Sequence, residues 1–163
     1  MTIIAMVVSI FLGIGSLVWG YFDGGLTDPA RWLVLTGAAW LIAEWRRQRW
    51  FASLGLFVII IAAAYGLWIQ LSSGWMVTGA VSGLLAWDLS DFARRLGYAA
   101  PTDDVAGMER RHLARAGVVA VIGAAIALIA TFVHVRIPFE VAVVFVLLVA
   151  GGITRLVVKL RGM

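Results

Sequence analysis

Long apolar runs separated by short polar breaks are the dominant pattern of the chain. A bilayer core of about 30 Å takes roughly 20 helical residues to cross. Six runs reach or approach that length, and they occupy residues 3–22, 31–45, 50–71, 75–92, 113–135 and 137–158. Each run is apolar over most of its length, whereas a membrane β-strand alternates polar and apolar residues over about 10 positions. The pattern therefore predicts an all-α fold, a polytopic transmembrane helical bundle of six spans that form one membrane domain.

The basic residues predict how these spans are oriented. Cytosolic loops of membrane proteins carry an excess of Lys and Arg. Only Arg31 and Arg136 fall on one side of the predicted membrane. The other side holds the remaining eleven of the thirteen basic residues, at positions 46, 47, 49, 94, 95, 110, 111, 115, 155, 159 and 161. We therefore expect both termini in the cytosol, which gives an N-in, C-in topology.

The eight tryptophans give a second indication of the membrane boundaries, because indole rings prefer the membrane–water interface. Trp40 fits neither interface. Four of the others fall near the predicted outer boundary and three near the inner one: Trp19, Trp32, Trp68 and Trp75 outside, and Trp45, Trp50 and Trp87 inside.

The longest connection, residues 93–112, is predicted to be a cytosolic loop that contains a helix start. Thr102 has the side chain of a helix cap, and Asp103 and Asp104 would lie at the positive end of the helix dipole. Two arrangements follow from this pattern. The segment forms either a short helix on the membrane surface or a cytosolic extension of the fifth span.

Composition and charge support a membrane protein. Hydrophobic residues make up 63% of the 163-residue chain and charged residues 13%, whereas soluble domains carry roughly 25% charged residues. A chain of this length cannot bury so much apolar surface in its own core, so a lipid bilayer is the expected partner. The net charge of +4 is explained by the cytosolic clusters, so no nucleic acid is expected. We predict the plasma membrane, as the cytoplasmic (inner) membrane of a prokaryote.

Three carboxylates at the cytosolic ends of spans are candidates for an ion or proton site: Asp88 and Asp91, on one face of the fourth span, and Glu44, at the end of the second. An ionised carboxylate inside a bilayer costs about 3 kcal/mol unless it is paired or hydrated. They either form an acidic cluster, in which Glu44 meets Asp88, or are interfacial side chains. Arg95, four residues after Asp91, is a possible partner for it.

His134, Arg136 and Glu140 form a candidate polar cluster at the outer turn between the last two spans. Histidine can carry protons near neutral pH, and arginine can hold an anion. The alternative is an ordinary solvated turn. His112, the only other histidine, falls on the cytosolic side, so no metal site is expected. The chain has no cysteine, which removes thiolate chemistry.

Small residues at four-residue spacing predict close helix packing. The candidates in the first and fourth spans are Ser16, Gly20, Gly24, Gly79 and Gly83, and the fifth span carries a comparable series of alanines with Gly123. Such faces serve either packing within the bundle or association with another chain.

No motif for catalysis or for a cofactor is present, so we expect neither an enzyme nor a bound cofactor. The apolar span centres favour a non-catalytic subunit, scaffold or assembly factor that acts through helix–helix packing. Its partner would be a second copy of the chain or another membrane protein subunit. The alternative is a small cation- or proton-coupled transporter or channel that uses Asp88 and Asp91.

The topology can be tested by labelling single introduced cysteines in a chain that has none of its own. Ser73→Cys and Arg136→Cys should react with a membrane-impermeant thiol reagent from outside. Gln48→Cys and Asp104→Cys should react only after the membrane is opened, because they lie beside the basic clusters. Labelling of Gln48→Cys from outside would contradict the six-span topology.

Overall fold

The computed structural model describes residues 1–46, 48–97 and 104–132, and these residues form helices and turns only. In chain order the helices are α1 (Thr2–Asp23), α2 (Thr27–Trp45), α3 (Arg49–Trp68), α4 (Ser73–Leu96) and α5 (Val105–Phe132). The all-helical prediction is therefore confirmed for this part of the chain. The sixth predicted run, 137–158, lies outside the described residues.

Backbone geometry in the turns explains why α1 and α3 end where they do. After α1, Gly25 has a φ of +77°, and the Leu26 N–H donates to the Tyr21 carbonyl at 2.9 Å. After α3, Gln70 has a φ of +61°, and the Leu71 N–H donates to the Gly66 carbonyl at 2.9 Å. Both are the left-handed terminations that close a helix by satisfying its last carbonyls.

Helices α1 to α4 pack as an antiparallel four-helix unit, because three short turns join them. Each helix lies beside the next, and α4 returns to pack along α1. Gly13 of α1 lies opposite Gly83 of α4, and Gly20 lies opposite Trp75 nearer the start of α4. This register shows that α1 and α4 run in opposite directions over most of their lengths.

The contact between α1 and α4 is made backbone to backbone through glycines. A Cβ atom added at Gly13 would lie 3.2 Å from the Gly83 nitrogen and 3.4 Å from the Gly79 carbonyl oxygen. A Cβ atom added at Gly79 would lie 2.5 Å from Cγ of the fully buried Leu17. The two backbones are thus in direct contact at Gly13, and Gly79 leaves room for the Leu17 side chain, so these glycines allow the two helices to approach closely.

Trp40 occupies the middle of the unit and not a membrane boundary. Its side chain is fully buried against Gly55 of α3, where a Cβ atom would overlap the indole ring. The Trp40 Nε1–H is buried and has no hydrogen-bond partner among the described residues. The other seven tryptophans are at least 37% exposed. Trp40 therefore fits neither membrane interface because its side chain packs inside the four-helix unit.

The six-span count is not supported. Three helices are long and apolar enough to cross a membrane, at Thr2–Asp23, Trp50–Trp68 and Val105–Ala130. Helix α2 falls short because Asp28, Arg31 and Glu44 leave too little uncharged length. Helix α4 falls short because it is rich in Gly and Ser and ends in four charged residues within its last nine positions.

The start of α5 differs from the predicted cap. Asp104 caps the helix, since its Oδ1 accepts a hydrogen bond from the Gly107 N–H at 2.9 Å. Thr102 and Asp103 lie outside the described residues. The helix then runs unbroken for 28 residues, about 42 Å at the usual helical rise. Of the two arrangements considered, the continuous extension of the fifth span is therefore the one observed.

Gly79→Leu should separate α1 from α4, because the new side chain meets Leu17 and the Gly13 backbone. We expect a loss of about 3 kcal/mol of unfolding free energy, as for overpacked cores. The free energy of unfolding is measured on the detergent-solubilised protein, with tryptophan fluorescence as the signal.

Gly15→Leu is the matched control, because Gly15 lies on the same helix as Leu17 with no atom within 4 Å of its Cβ position. It should leave stability unchanged or raise it, since leucine favours helix more than glycine does. Equal losses in the two variants would show that the α1–α4 contact is not what limits stability.

Candidate functional site

Charged side chains gather at the end of the four-helix unit where α2 and α4 finish and α5 begins; we call this the charged end. The antiparallel arrangement produces this cluster, because the last turns of α2 and α4 and the first turns of α5 come together there. Its ionisable members are Glu44, Asp88, Asp91, Arg94, Arg95, Glu109 and His112.

Glu44 is held at the charged end by two residues of α4. The Ser90 hydroxyl donates a hydrogen bond to Glu44 Oε1, and Arg94 Nη1 lies 3.7 Å from the same oxygen. Ser90 and Arg94 are four residues apart, so both face α2 from the same side of α4. The Glu44 side chain is only 14% exposed, and these two partners offset the cost of burying its charge.

Asp91 lies on the outer side of the same turn of α4, between two arginines. Arg95 Nη2 is 2.7 Å from Asp91 Oδ2, and Arg94 Nη2 is 3.9 Å from Oδ1. The pair with Arg95 has the i, i+4 spacing that the sequence suggested. Glu44, Arg94, Asp91 and Arg95 thus form one chain of alternating charges.

Asp88 belongs to a separate contact that joins α4 to α5. His112 Nε2 lies 2.8 Å from Asp88 Oδ2, and the imidazole ring stacks on Phe92 with ring centroids 3.8 Å apart and planes inclined by 10°. Asp88 and Phe92 are four residues apart on α4, so one face of that helix supplies both partners.

Glu109 joins α5 to α1. Its Oε1 accepts a hydrogen bond from the Thr2 hydroxyl at 2.8 Å, and Thr2 is buried. The sequence analysis did not single out Glu109, Thr2, Ser90 or Phe92. One signal for Glu109 was available: it lies three residues before His112, which places the two side chains on one face of α5.

The candidate carboxylates therefore share one end of the unit, but they are not one acidic cluster. Glu44 contacts Ser90 and Arg94, whereas Asp88 contacts His112. The part of the chain that the structure describes contains no group of three or more side chains placed to hold a metal ion. His134, Arg136 and Glu140 lie outside the described residues.

The predicted small packing residues lie against neighbouring helices of the same chain. Gly79 and Gly83 contact α1, and Gly83 also meets Ile59 of α3. Gly20 faces Met76 and Trp75, and Gly24 faces Leu71. The Ser16 hydroxyl donates to the Gly13 carbonyl at 3.1 Å. On α5, by contrast, no atom of another described helix lies within 4 Å of the Cβ positions of Gly117 and Gly123.

A cleft of about 810 Å³ opens at the charged end between α1, α2 and α4. Its apolar wall is formed by Ile3, Met6, Val7 and Leu41, and its polar rim by Glu44, Ser90, Asp91, Arg94 and Arg95. The cleft is therefore amphipathic, with the alternating charges described above along one side.

No protein-family model, no curated protein and no solved structure matches the chain.

His112→Ala should loosen the attachment of α5 to α4, because it removes both the contact with Asp88 and the stack on Phe92. A partly exposed hydrogen bond and an aromatic contact together are worth about 1 kcal/mol. We therefore expect amide hydrogen exchange in residues 105–112 to become about fivefold faster.

Arg110→Ala is the control for this change, since Arg110 is exposed two residues away on the same helix. Exchange in α5 should be unaltered in that variant. If His112→Ala left exchange in residues 105–112 at the wild-type rate, the contact with α4 would not hold the helix start.

Proposed function

We propose that this chain is a multi-pass integral membrane protein without catalytic activity, which acts as a subunit, scaffold or assembly factor by packing α5 against a second membrane-embedded chain. The observation that carries the proposal is the contrast between its glycines. The predicted packing glycines of α1 and α4, Gly20, Gly79 and Gly83, pack within the unit, whereas Gly117 and Gly123 of α5 have no neighbour within 4 Å among the residues that the structure describes.

Connectivity supports several crossings of the membrane. Helices α1 and α3 both meet the length and hydropathy of a span, and they run in the same direction in the unit. A chain that crosses twice in one direction must return between the two crossings, so α2 is the return path. Helix α4 then packs back along α3, where Ser53 meets Trp87 near one end and Gly66 meets Met76 near the other.

The finer topology follows from this arrangement and from the basic residues. With α5 and the apolar run 137–158, the proposed count is six spans. The charged end includes Arg94 and Arg95, and Arg46, Arg110 and Arg111 lie at the end of α2 and in the first turns of α5, which meet there, so the positive-inside rule assigns this end to the cytosol. Both termini are then cytosolic, and the proposed location is the plasma membrane, as the cytoplasmic membrane of a prokaryote.

The surface of α5 supports a packing role for that helix. Its 18-residue apolar window has no buried residue, and its exposed side chains include Val118, Val119, Ile122 and Ile126. Polar contacts at Glu109 and His112 fix the start of the helix to α1 and α4. A helix that is anchored at one end and apolar along the rest presents a defined face to another transmembrane helix.

The alternative is a small cation- or proton-coupled transporter or channel that uses Asp88 and Asp91. The observation in its favour is the hydrogen bond between His112 and Asp88, which places two ionisable side chains in contact at the charged end. The centre of the four-helix unit argues against it. There α1 and α4 meet backbone to backbone, and a transport path needs polar groups through the middle of the bilayer.

Gly123→Leu tests the packing surface, because it adds a large side chain where the structure has open space. We expect the complex purified in a mild detergent, with a second copy or another subunit, to weaken about tenfold in dissociation constant, a cost typical of one disturbed contact. Native mass spectrometry of the complex gives the fraction dissociated at each protein concentration.

The matched control is Gly15→Leu, the same substitution at an exposed glycine of α1 that also has no neighbour within 4 Å. It should leave the complex intact. If Gly15→Leu weakened the complex and Gly123→Leu did not, the surface that binds the partner would lie on α1 and not on α5.

The alternative function has its own test. A cation or proton flux in liposomes that vanishes in Asp88→Asn would favour the transporter.

A further inference from the structure

We propose that the cleft at the charged end binds a phospholipid whose headgroup carries both a phosphate and a primary ammonium, as phosphatidylethanolamine does. The inference rests on the membrane location in the proposed function, but not on the partner surface of α5. Its basis is the juxtaposition of an apolar wall with a rim of alternating charges in one cleft.

The apolar wall suits an acyl chain. Ile3, Met6 and Val7 lie on one face of α1, at the i, i+3 and i+4 positions, and Leu41 of α2 faces them across the cleft. Met6 is buried at the floor, while Ile3 is exposed at the mouth. An acyl chain laid along this wall would remove its apolar surface from water at the membrane boundary.

The rim suits a headgroup with charges of both signs. Two carboxylates, of Glu44 and Asp91, and two guanidinium groups, of Arg94 and Arg95, line the same side of the cleft, so their formal charges cancel. A purely anionic headgroup gains little from a rim with no excess positive charge. A zwitterionic headgroup can place its phosphate near an arginine and its ammonium near a carboxylate.

Arg94 is the residue placed to bind the phosphate. Its side chain is 27% exposed, and its nitrogens lie 3.7 Å from Glu44 and 3.9 Å from Asp91. Both distances exceed those of hydrogen bonds, which for an arginine and an oxyanion are about 2.8 Å. The guanidinium is therefore held between two carboxylates by charge and keeps N–H groups to donate to a phosphate oxygen.

Glu44 is the residue placed to accept the ammonium. Ser90 and Arg94 both contact its Oε1, and the second carboxylate oxygen can accept from a ligand. A primary ammonium offers three N–H donors, whereas the quaternary ammonium of phosphatidylcholine offers none. The geometry therefore favours ethanolamine over choline at the same net charge.

Lipid selectivity of the wild-type protein is the first test, and it needs no variant. The full chain in detergent is titrated with phosphatidylethanolamine, phosphatidylcholine or phosphatidylglycerol of identical acyl chains, and native mass spectrometry counts the bound lipids. We expect phosphatidylethanolamine to bind at least about tenfold more tightly than the other two, as for a site that loses one charge-assisted hydrogen bond.

Two substitutions then locate the site. Arg94→Gln removes the proposed phosphate ligand, and Ala93→Phe fills the cleft without changing a charge, since Ala93 is one of its lining residues. Each should weaken binding of phosphatidylethanolamine about tenfold. The matched controls are Arg111→Gln and Ala125→Phe, at exposed positions on α5, and both should bind as the wild type does. If Ala93→Phe fails to fold, Arg94→Gln and the comparison of the three lipids still test the proposal.

Three outcomes would overturn the proposal. Equal binding of ethanolamine and choline lipids would remove the role of the ammonium. Tighter binding of phosphatidylglycerol would show that the rim acts as a simple basic patch. Wild-type affinity in Arg94→Gln would place the bound lipid elsewhere. None of these results depends on the complex that Gly123→Leu tests, so the two proposals can fail separately.

Discussion

The close approach of α1 and α4 is the constraint on which the rest of the structure depends. Gly13 and Gly83 bring the two backbones into direct contact, and Gly79 leaves room for the Leu17 side chain. In a membrane, where lipid is as apolar as the helix surface, such contact is what holds helices together. The separation it sets also fixes where α2 and α3 can lie, since short turns tie each of them to one of these two helices.

The arrangement of the charged end follows from this packing. The antiparallel register brings the end of α4 next to the beginning of α1 and the end of α2, so Ser90 and Arg94 reach Glu44. The opposite face of α4 presents Asp88 and Phe92 to His112 of α5. One helical end therefore supplies two separate polar contacts, and the cleft lies beside the first of them.

The structure distinguishes two uses of small residues that the sequence pattern leaves open, namely packing within the unit and association with another chain. Gly13, Gly20, Gly79 and Gly83 are used for packing within the unit, and their neighbours are atoms of the same chain. Helix α5 is attached through polar residues near its start, and its apolar window contains no buried residue. A surface for another chain is thus proposed on α5, where Gly117 and Gly123 have no neighbour within 4 Å among the described residues.

Sequence alone determined the helical class and the approximate limits of five helices, because long apolar runs in a membrane have few alternatives to a helix. It also predicted the Asp91–Arg95 pair, since i, i+4 contacts are local to one helix. Only the tertiary structure decided that Glu44 meets Ser90 and Arg94, that Asp88 meets His112, and that Trp40 lies in the interior. Those contacts join residues far apart in the chain, and they depend on the rotation and register of whole helices. Where nearly every face of a helix is apolar, the pattern of apolar residues specifies neither the rotation nor the register of that helix.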